Sequence, residues 1–405
     1  MMKKRSLIHL VIAMFVASSM SMLFQGTGST AVAKEIKWGC YTDLTGPIAT
    51  TANNMWDGFQ AYHEWMTKYD PIPGITIKLL WEDTGYSAPK YLTAFKKFKS
   101  KGMALAYNTS STCSVTLGPL HKKNKISLIS SGGYKPAIVP PAYEFASRPP
   151  YINYFAGAAI QFLKEWEAKG EKRKPRLMFI TWDNAYGRGP IPEGVPWAKE
   201  NGFEVLPSQF FSTPRPTDLS LQLSKAKTLG ADLVYMNSLA GHFSVLLKDA
   251  QKMGLQGKIQ FCVGSGAGQP ELIRLAGSAA EGAWSMNPYP SWPNESKGYK
   301  WVVEEFERQG KDLKSDDTCA GIGFARIGSE AIRAAAKNVG PEKVDKRAIY
   351  DALCNMKNLD MWGLQPNVSF APDLRIPYNY MYVLEVKDQK WRDRAYVKVP
   401  WFSGK

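Results

Sequence analysis

The sequence has few of the side chains that bind metal ions or carry out redox chemistry. It contains four histidines, none at a metal-ligand spacing, and His121 in "LHKKNK" is expected at a solvated helix end. The five cysteines include no CxxC pair, which argues against a thiolate metal site or a redox motif. Two possibilities stay open for the cysteines: one or two disulfides with a spare thiol, or buried thiols that act as small hydrophobic residues.

Complete catalytic motifs are also missing. The segment "GSGAGQP" follows a predicted strand, as a dinucleotide-binding turn would, but Gln269-Pro270 replaces the glycine that packs the helix. The same segment is not a nucleophile elbow, which needs glycine at Val263. His63 begins a zinc-protease pattern that stops at Thr67. The sequence therefore predicts no enzyme activity, no metal and no cofactor.

Long apolar runs are absent after Phe24, so no later segment is predicted to span a membrane. Residues 1–33 have the parts of a secretory signal peptide: a basic start, an apolar stretch from Leu7 to Phe24, and a small-residue cleavage site that ends at Ala33. An uncleaved membrane anchor is the alternative. Cys40 has no small apolar box before it, which argues against a lipoprotein. We expect removal of residues 1–33 and export of the remainder across the inner membrane.

Acidic side chains are scarce relative to basic ones. The chain has 51 Lys and Arg against 36 Asp and Glu, and its formal net charge is +15. Three of the positive charges lie in residues 1–33, which contain no acid, so the remainder carries +12. Export makes nucleic acid an improbable partner, and the surplus favours attraction to anionic solutes or to the envelope surface. A solvated surface with no partner is the alternative.

The exported part is too long for one hydrophobic core and is predicted to form two domains with a cleft. Short strand patterns alternate with amphipathic helix patterns, which is typical of α/β folds with parallel sheets. The predicted strands are Ile36–Tyr41, Ile75–Trp81, Met103–Tyr107, Ile126–Ile129, Leu177–Thr181, Phe203–Leu206, Leu233–Met236 and Ile259–Val263. The predicted helices include Trp56–Met66, Tyr91–Lys99, Leu219–Leu229, Val245–Met253, Ser296–Gln309, Ala325–Asn338 and Lys346–Asn355.

Two breaks in this alternation divide the chain between the domains. The first is Phe145 to Tyr154, and the second is Trp284 to Pro293, "WSMNPYPSWP". A third crossing is placed near residues 358–364. The predicted lobes are residues 34–153 plus 286–360, and residues 154–285 plus 361–405.

Small polar residues are concentrated where the predicted strands end. Examples are Asn108 to Ser114, Ser130 to Tyr134, "WDNAYGRG" and "GSGAG". In open parallel sheets, ligands bind beyond the carboxyl ends of the strands. Hydroxyls and free backbone N–H groups at a helix N-terminus suit a carboxylate, although capping of the helix is the simpler role for any single serine. The pattern predicts a small-molecule site at these strand ends.

These segments resemble one protein family along nearly the whole exported chain. The similarity runs through "GCYTDLTGPIA", "DGFQAYHEW", "WEDTGYSAPKYLTAFKKF", "YNTSSTCS", "ISLISSGGYKP", "DNAYGRG", "GADLVYMNS" and "EGAW". In this order and spacing they are similar to the periplasmic solute-binding proteins of ABC importers, in the branched-chain amino acid (Leu/Ile/Val-binding) class. The resemblance implies the type I fold: two Rossmann-like, doubly wound lobes joined by a three-segment hinge.

The resemblance also implies a set of ligand contacts. The family's contact positions fall on Ser111, Thr112, Gly132, Tyr134, Tyr186, Ser238, Ser265 and Thr51. In this alignment Ser111 holds the ligand carboxylate, and Tyr186 closes over the ligand from the second lobe.

Two positions depart from the family pattern: an aromatic residue expected after Leu233–Met236 falls on Leu239, next to Ser238, and the expected acid falls on Ser265. Ser265 stands where amino acid binders place the acid that pairs with the ligand ammonium, and a buried ammonium without a carboxylate is poorly compensated. The departure favours a neutral amide or a carboxylic acid, including an aromatic acid, over a free α-amino acid. Asp43, Asp183 or Glu281 is the alternative source of the missing acid.

The function implied by the resemblance is capture and delivery. A monomer in the periplasm binds a small carboxylate-bearing or amide solute by closure of the lobes and passes it to an ABC permease in the inner membrane. The alternative is a ligand-binding sensory module of the same fold, bound to a membrane partner.

Overall fold

A computed structural model describes residues 33–131, 133–264, 269–313 and 315–402. The signal peptide prediction, apart from Ala33, and the predicted contact residues Gly132 and Ser265 lie outside the described residues. From Lys34 onward the chain forms one compact unit. Strands and helices alternate along this unit, and the predicted α/β class is confirmed.

The strands form two sheets. They are β1 (Lys34–Thr42), β2 (Ile75–Asp83), β3 (Leu105–Asn108), β4 (Ser127–Ser130), β5 (Glu144–Ala146), β6 (Arg176–Trp182), β7 (Glu204–Val205), β8 (Gln209–Phe211), β9 (Leu233–Met236), β10 (Gln260–Val263), β11 (Trp284–Asn287), β12 (Tyr380–Lys387) and β13 (Lys390–Lys398).

Helices fill most of the connections between these strands. They are α1 (Ala49–Tyr69), α2 (Ala88–Ser100), α3 (Ser111–Asn124), α4 (Lys135–Ile138), α5 (Tyr151–Ala168), α6 (Ala185–Arg188), α7 (Ile191–Glu200), α8 (Ser220–Thr228), α9 (Ala240–Lys252), α10 (Gln269–Ala276), α11 (Lys297–Arg308), α12 (Asp317–Val339) and α13 (Lys346–Cys354).

The first sheet is entirely parallel and has the order β2-β1-β3-β4-β5. Every residue of β3 and β4 is buried, because helices cover both faces of a parallel sheet. Apolar runs such as "ALAY" and "SLI" suit strands that are buried on both sides. This is why the sequence located the strands of this sheet to within a few residues, apart from the three-residue β5.

The second sheet has the order β13-β12-β11-β10-β9-β6-β7, and β8 pairs with the far end of β6. Its middle is parallel, but β12 is antiparallel to both β11 and β13. The predicted break from Trp284 to Pro293 is wrong at its start, because its first four residues form β11. It also missed the hairpin of β12 and β13, which turns at Asp388 and Gln389 with φ of 54° and 56°.

Helices α1 and α12 pack closely on one face of the first sheet. A Cβ on Gly321 would lie 1.8 Å from the backbone oxygen of Met55, and a Cβ on Gly58 would lie 2.2 Å from that of Thr318. Both distances are far below van der Waals contact, so the two glycines permit the close approach of the helix backbones. This contact fixes the position of α1 and therefore of Thr51 near its N-terminus.

The cores of the two sheets show where the chain passes between them. Helix α5, which follows β5, packs on the second sheet, while Val302 and Phe306 of α11 return to the first core. Residues Met361, Val368 and Tyr378 still pack in the first core, before β12 joins the second sheet. The division into two lobes stays a prediction, and this packing favours a third crossing near Tyr378.

All five cysteines are buried, and none forms a disulfide. The sequence left disulfides and buried thiols as alternatives, and the structure shows buried thiols. His121 is buried as well and lies between Tyr41 and Ile126, so the expectation of a solvated helix end is wrong. Among the described residues, no helix is long and apolar enough to cross a membrane.

Candidate functional site

A single buried carboxylate fixes the loops beyond β1, β2 and β3. Asp43 directly follows β1 and is fully buried. It accepts hydrogen bonds from Thr84 Oγ1 (2.8 Å), the backbone N–H of Tyr86 (2.7 Å), Tyr91 OH (2.8 Å) and Thr109 Oγ1 (3.1 Å). Both carboxylate oxygens are used in this network, so Asp43 holds these loops in place.

The hydroxyls at the start of α3 have different roles. Ser110 is the N-cap of α3, and its Oγ accepts from the backbone N–H of Cys113 at 3.3 Å. Ser111 is the first helical residue, and its Oγ lies 2.6 Å from the hydroxyl of Tyr151. Because Ser110 caps the helix, the Ser111 hydroxyl is free of that role and can contact Tyr151.

A cavity of about 50 Å³ lies beyond the strand ends of the first sheet. It is lined by Ile48, Thr51, Met55, Tyr86, Thr109, Ser110, Ser111, Ser131, Arg148, Tyr151, Tyr186 and Leu239. Most of these residues follow strands of the first sheet or belong to α1. Tyr186 and Leu239 follow β6 and β9 of the second sheet, so the cavity lies where the loops of the two sheets meet. We refer to it below as the cleft cavity.

Tyr186 is held by the short helix α6 that follows β6. Asn184 caps this helix by accepting from the backbone N–H of Gly187 at 2.8 Å. A Cβ on Gly187 would lie 1.9 Å from the backbone oxygen of Trp182, so the tight turn requires glycine. Tyr186 OH donates to the backbone oxygen of Ser238 at 3.0 Å, and burial raises the pKa of this phenol well above its usual range.

Two aromatic contacts join the elements on either side of the cleft cavity. The rings of Tyr151 and Tyr186 pack edge to face with centroids 5.0 Å apart. The ring of Tyr86, after β2, is parallel to that of Trp182 at the end of β6, with centroids 6.4 Å apart. These side chains form an apolar wall with polar tips, as is common in small-molecule sites.

Arg148 is the charged residue among those described in the cleft cavity wall, and it is 6% exposed. Its Nε donates to the backbone oxygen of Ser131 at 2.9 Å. Burial acts to lower the pKa of this guanidinium, but the neighbouring Tyr289, Tyr154 and Asp317 more than offset it and raise the pKa. The side chain is therefore a permanent positive charge next to the hydroxyls of the cavity.

Asp317, at the start of α12, is a buried acid whose charge acts on Arg148. Burial and the adjacent Asp316 raise its pKa to about 7, while Arg148 and a hydrogen bond with Thr51 act to lower it. Asp317 does not belong to the lining of the cleft cavity. At neutral pH the protonated and ionised forms of Asp317 are close in free energy, so this side chain is only partly ionised. It therefore compensates the positive charge of Arg148 only in part.

A second cavity, of about 210 Å³, adjoins the cleft cavity. The two share Ile48, Thr51 and Leu239 in their walls. The second cavity also includes Glu271 of α10, whose pKa is raised by burial, and His242, whose Nε2 lies 2.8 Å from the backbone oxygen of Pro214. These shared residues place the two cavities side by side.

The structure brings only some of the predicted contact residues to the cleft cavity. Ser111, Tyr186 and Thr51 line the cleft cavity. Ser238 lies behind Tyr186 and is hydrogen bonded to His242 Nδ1 rather than directed at the cavity. Thr112 and Tyr134 are outside its lining, and Tyr134 borders a separate cavity of about 400 Å³. Gly132 and Ser265 are outside the described residues, and the contact set stays a prediction.

The three acids considered as substitutes for the missing ammonium partner do not line the cleft cavity. Asp43 is used by the loop network described above. Asp183 is partly exposed and paired with Arg188, and this hydrogen bond lowers the pKa of the carboxyl. Glu281 accepts from the backbone N–H of Asp388, in the turn of the β12–β13 hairpin. Among the described residues, no three His, Cys, Asp or Glu side chains are grouped as a metal ion would need.

Sequence reasoning missed Arg148 and Tyr151 as residues of the site. Both belong to the first break between strand units, which was interpreted as a hinge. A signal was present, because a lone arginine in the largely apolar segment "EFASRPPYINYF" is costly to bury without a reason. The direction of its side chain depends on Ser131 and Asp317, which the sequence alone could not connect to it.

Comparisons with known proteins agree with this architecture. The family model described as "Periplasmic binding protein" matches residues 35–390. The leucine-specific-binding protein of Salmonella typhimurium is 23% identical over 289 residues, which cover 70% of this chain and 74% of that protein. A Pseudomonas aeruginosa protein that binds leucine, isoleucine, valine, threonine and alanine is 21% identical, over 80% of this chain and 85% of its own length.

A solved structure shows the same fold. It is a branched-chain amino acid ABC transporter protein from Thermus thermophilus with bound valine, which superposes with a TM-score of 0.80 at 20% identity and covers 91% of this chain and 97% of its own. The family match covers the first sheet from Glu35, the second sheet as far as the start of β13, and every loop around the cleft cavity. The chain belongs to the periplasmic binding protein family.

Proposed function

We propose that this chain is the extracytoplasmic substrate-binding protein of an ABC transporter and that it captures a small carboxylate-bearing or amide solute. The observation that carries this proposal is the cleft cavity, where Ser111 at the start of α3 and Tyr186 at the start of α6 face the same space from the two sheets. Family membership supports a binding role rather than catalysis. The protein then works as a monomer in the periplasm and delivers its solute to a membrane permease.

Closure of two lobes is the proposed mechanism. The lobes are residues 34–153 with 286–360 and residues 154–285 with 361–405, and the packing of Tyr378 in the first core favours extension of the first lobe to that residue. Contacts such as Tyr86 with Trp182 join the two sides and would be lost in an open form. A ligand that binds only the closed form shifts the equilibrium toward closure.

Thermal unfolding of residues 34–405 against a solute panel tests this function. The panel contains aliphatic amino acids, their amides, short carboxylates and aromatic acids. A ligand at about one hundred times its dissociation constant adds about 2.7 kcal/mol to the stability of the native state, which raises the midpoint visibly. We expect a shift with at least one carboxylate or amide, and light scattering of the same sample should give the mass of a monomer. A panel without any shift would count against solute capture.

A further inference from the structure

We infer that Arg148 is the anion-binding residue of the cleft cavity and that it selects monocarboxylates with an apolar body over α-amino acids. This inference rests on the proposed function and names the solute class for the same site. The position of the guanidinium is its first support. Arg148 is buried, lines the cavity with Ser111 and Tyr151, and is held in place by the backbone oxygen of Ser131.

The backbone around Arg148 is also fixed. The backbone N–H of Ser147 donates to the oxygen of Ser130 at 2.9 Å, and Gln365 Nε2 donates to the oxygen of Ser147 at 3.4 Å. Pro149 and Pro150 follow directly and restrict the chain. A cation held this way needs little reorganisation when an anion arrives, which is the condition for a strong charge-assisted hydrogen bond.

The charge of the cavity wall excludes an ammonium group. Among the described lining residues, Arg148 is the one with a full charge and none carries a carboxylate. In an α-amino acid the ammonium is one carbon away from the carboxylate, so both groups would lie beside the guanidinium. The ammonium would be repelled there and would lose its water without a counter-ion. Glu271 borders the adjoining cavity and is not among the lining residues of the cleft cavity.

The other residues of the cavity wall indicate that the body of the ligand is apolar. Ile48, Met55 and Leu239 give apolar contacts, and the rings of Tyr86 and Tyr186 add flat surfaces. The cleft cavity is the smaller of the two cavities, at about 50 Å³. The body of the acid therefore extends past Ile48 and Leu239 into the adjoining cavity of about 210 Å³.

Calorimetric titration with matched compounds tests this assignment. The first series is leucine, 4-methylpentanoate and 4-methylpentanamide, which share one carbon skeleton, and the second is benzoate and benzamide. We expect one of the two acids to bind at least 100-fold more tightly than its amide and than leucine. Equal or tighter binding of leucine or of an amide would overturn the inference while leaving solute capture intact. No binding by either series would contradict the assignment of these acids, and the wider solute panel would then decide whether the protein captures a solute at all.

Variants separate the role of Arg148 in ligand binding from its role in folding. Arg148→Gln should weaken binding of the acid at least 100-fold, and Arg148→Lys, which keeps the charge but loses the planar fork, should weaken it less. Arg375→Gln is the matched control, because Arg375 is equally buried and its Nε donates to the backbone oxygen of Ala142, outside the cavity. Urea unfolding shows whether each variant folds. The inference fails if both variants fold and Arg148→Gln binds the acid with unchanged affinity.

Discussion

The hydroxyl of Tyr151 lies 2.6 Å from Oγ of Ser111 and joins the first residue of α5 to the first residue of α3. One helix covers the first sheet and the other packs on the second, and the bond joins their N-terminal ends beside the cleft cavity. A ligand oxygen that binds Ser111 competes with Tyr151 or joins the pair. We therefore expect a ligand bound at Ser111 to affect the position of α5.

Ser111→Ala should weaken ligand binding by about 10- to 150-fold, because a hydrogen bond to a charged group contributes about 1.5–3 kcal/mol. Thr116→Ala is the matched control, since it removes a hydroxyl of the same helix that donates to the backbone oxygen of Thr112 and lies outside the lining of the cleft cavity. Its affinity should stay within about twofold, well inside the net contribution of one hydrogen bond. Calorimetric titration of both variants measures the difference, and equal losses would remove Ser111 from the site.

The sequence predicted the part of the site that is built from local structure. The first turn of α3 follows β3 directly, so the pattern of "ALAYNTSST" places Ser111 at the carboxyl edge of the sheet whatever the rest of the chain does. Tyr186 follows β6 in the same way. Ser238 also follows a strand, but its Oγ is hydrogen bonded to His242 one helix turn later, and spacing alone does not show this.

Arg148 could not be predicted because its environment is assembled from distant segments. The residue follows β5, contacts Ser131 after β4 and faces Asp317 at the start of α12. The antiparallel hairpin of β12 and β13 was missed for a related reason. Its alternating pattern was present, but its place beside β11 depends on the order of strands in the second sheet.

Gly321→Ala should destabilise the protein by about 1–3 kcal/mol, because the new Cβ would lie 1.8 Å from the backbone oxygen of Met55 and the helices must separate. Gly241→Ala, in the first turn of α9, is the control. Nothing lies within 4 Å of a Cβ there, and alanine has the higher helix propensity, so this variant should be neutral or more stable by up to about 1 kcal/mol. Urea unfolding curves give both values. A neutral Gly321→Ala would show that α1 and α12 tolerate separation.

Native protein should contain no rapidly reacting thiol. All five cysteines are buried, and burial raises the pKa of Cys40, Cys113, Cys262 and Cys319, so the reactive thiolate is disfavoured as well as inaccessible. A colorimetric thiol assay on the folded protein should give a value near zero. After unfolding in denaturant without reductant, the same assay should give five thiols per chain. A lower number after unfolding would reveal a disulfide.

Acid should destabilise the protein through His121. Burial lowers the pKa of this imidazole to about 4, whereas the unfolded chain has a value near 6.5. Between these values the unfolded state binds more protons, so stability falls as the pH falls from about 6.5 to about 4. From pH 7 to pH 5 the loss from this group is about 2 kcal/mol. Urea unfolding at both pH values should show a smaller loss for His121→Asn, and an equal loss would assign the effect to other groups.

The affinity for a carboxylate should fall as the pH rises from 6 to 8, if Arg148 is its receptor. Asp317 has a pKa raised to about 7, mainly by burial, and a bound anion would raise it further. Binding therefore favours protonated Asp317 and takes up part of a proton. The titratable or charged groups around Asp317 are Asp316, Arg148, Glu271, Tyr289, Tyr186 and Cys319.

Titration of benzoate or 4-methylpentanoate, whichever binds, at pH 6, 7 and 8 measures this linkage. Both acids are fully ionised over this range, so any change in affinity comes from the protein. The expected decrease is about 3- to 10-fold, since one group that titrates near pH 7 limits the slope to less than tenfold per pH unit. Asp317→Asn removes the titrating group and should make the profile flat. An affinity that rises with pH, or a slope that persists in Asp317→Asn, would place the proton on another of these groups and separate Asp317 from the anion site.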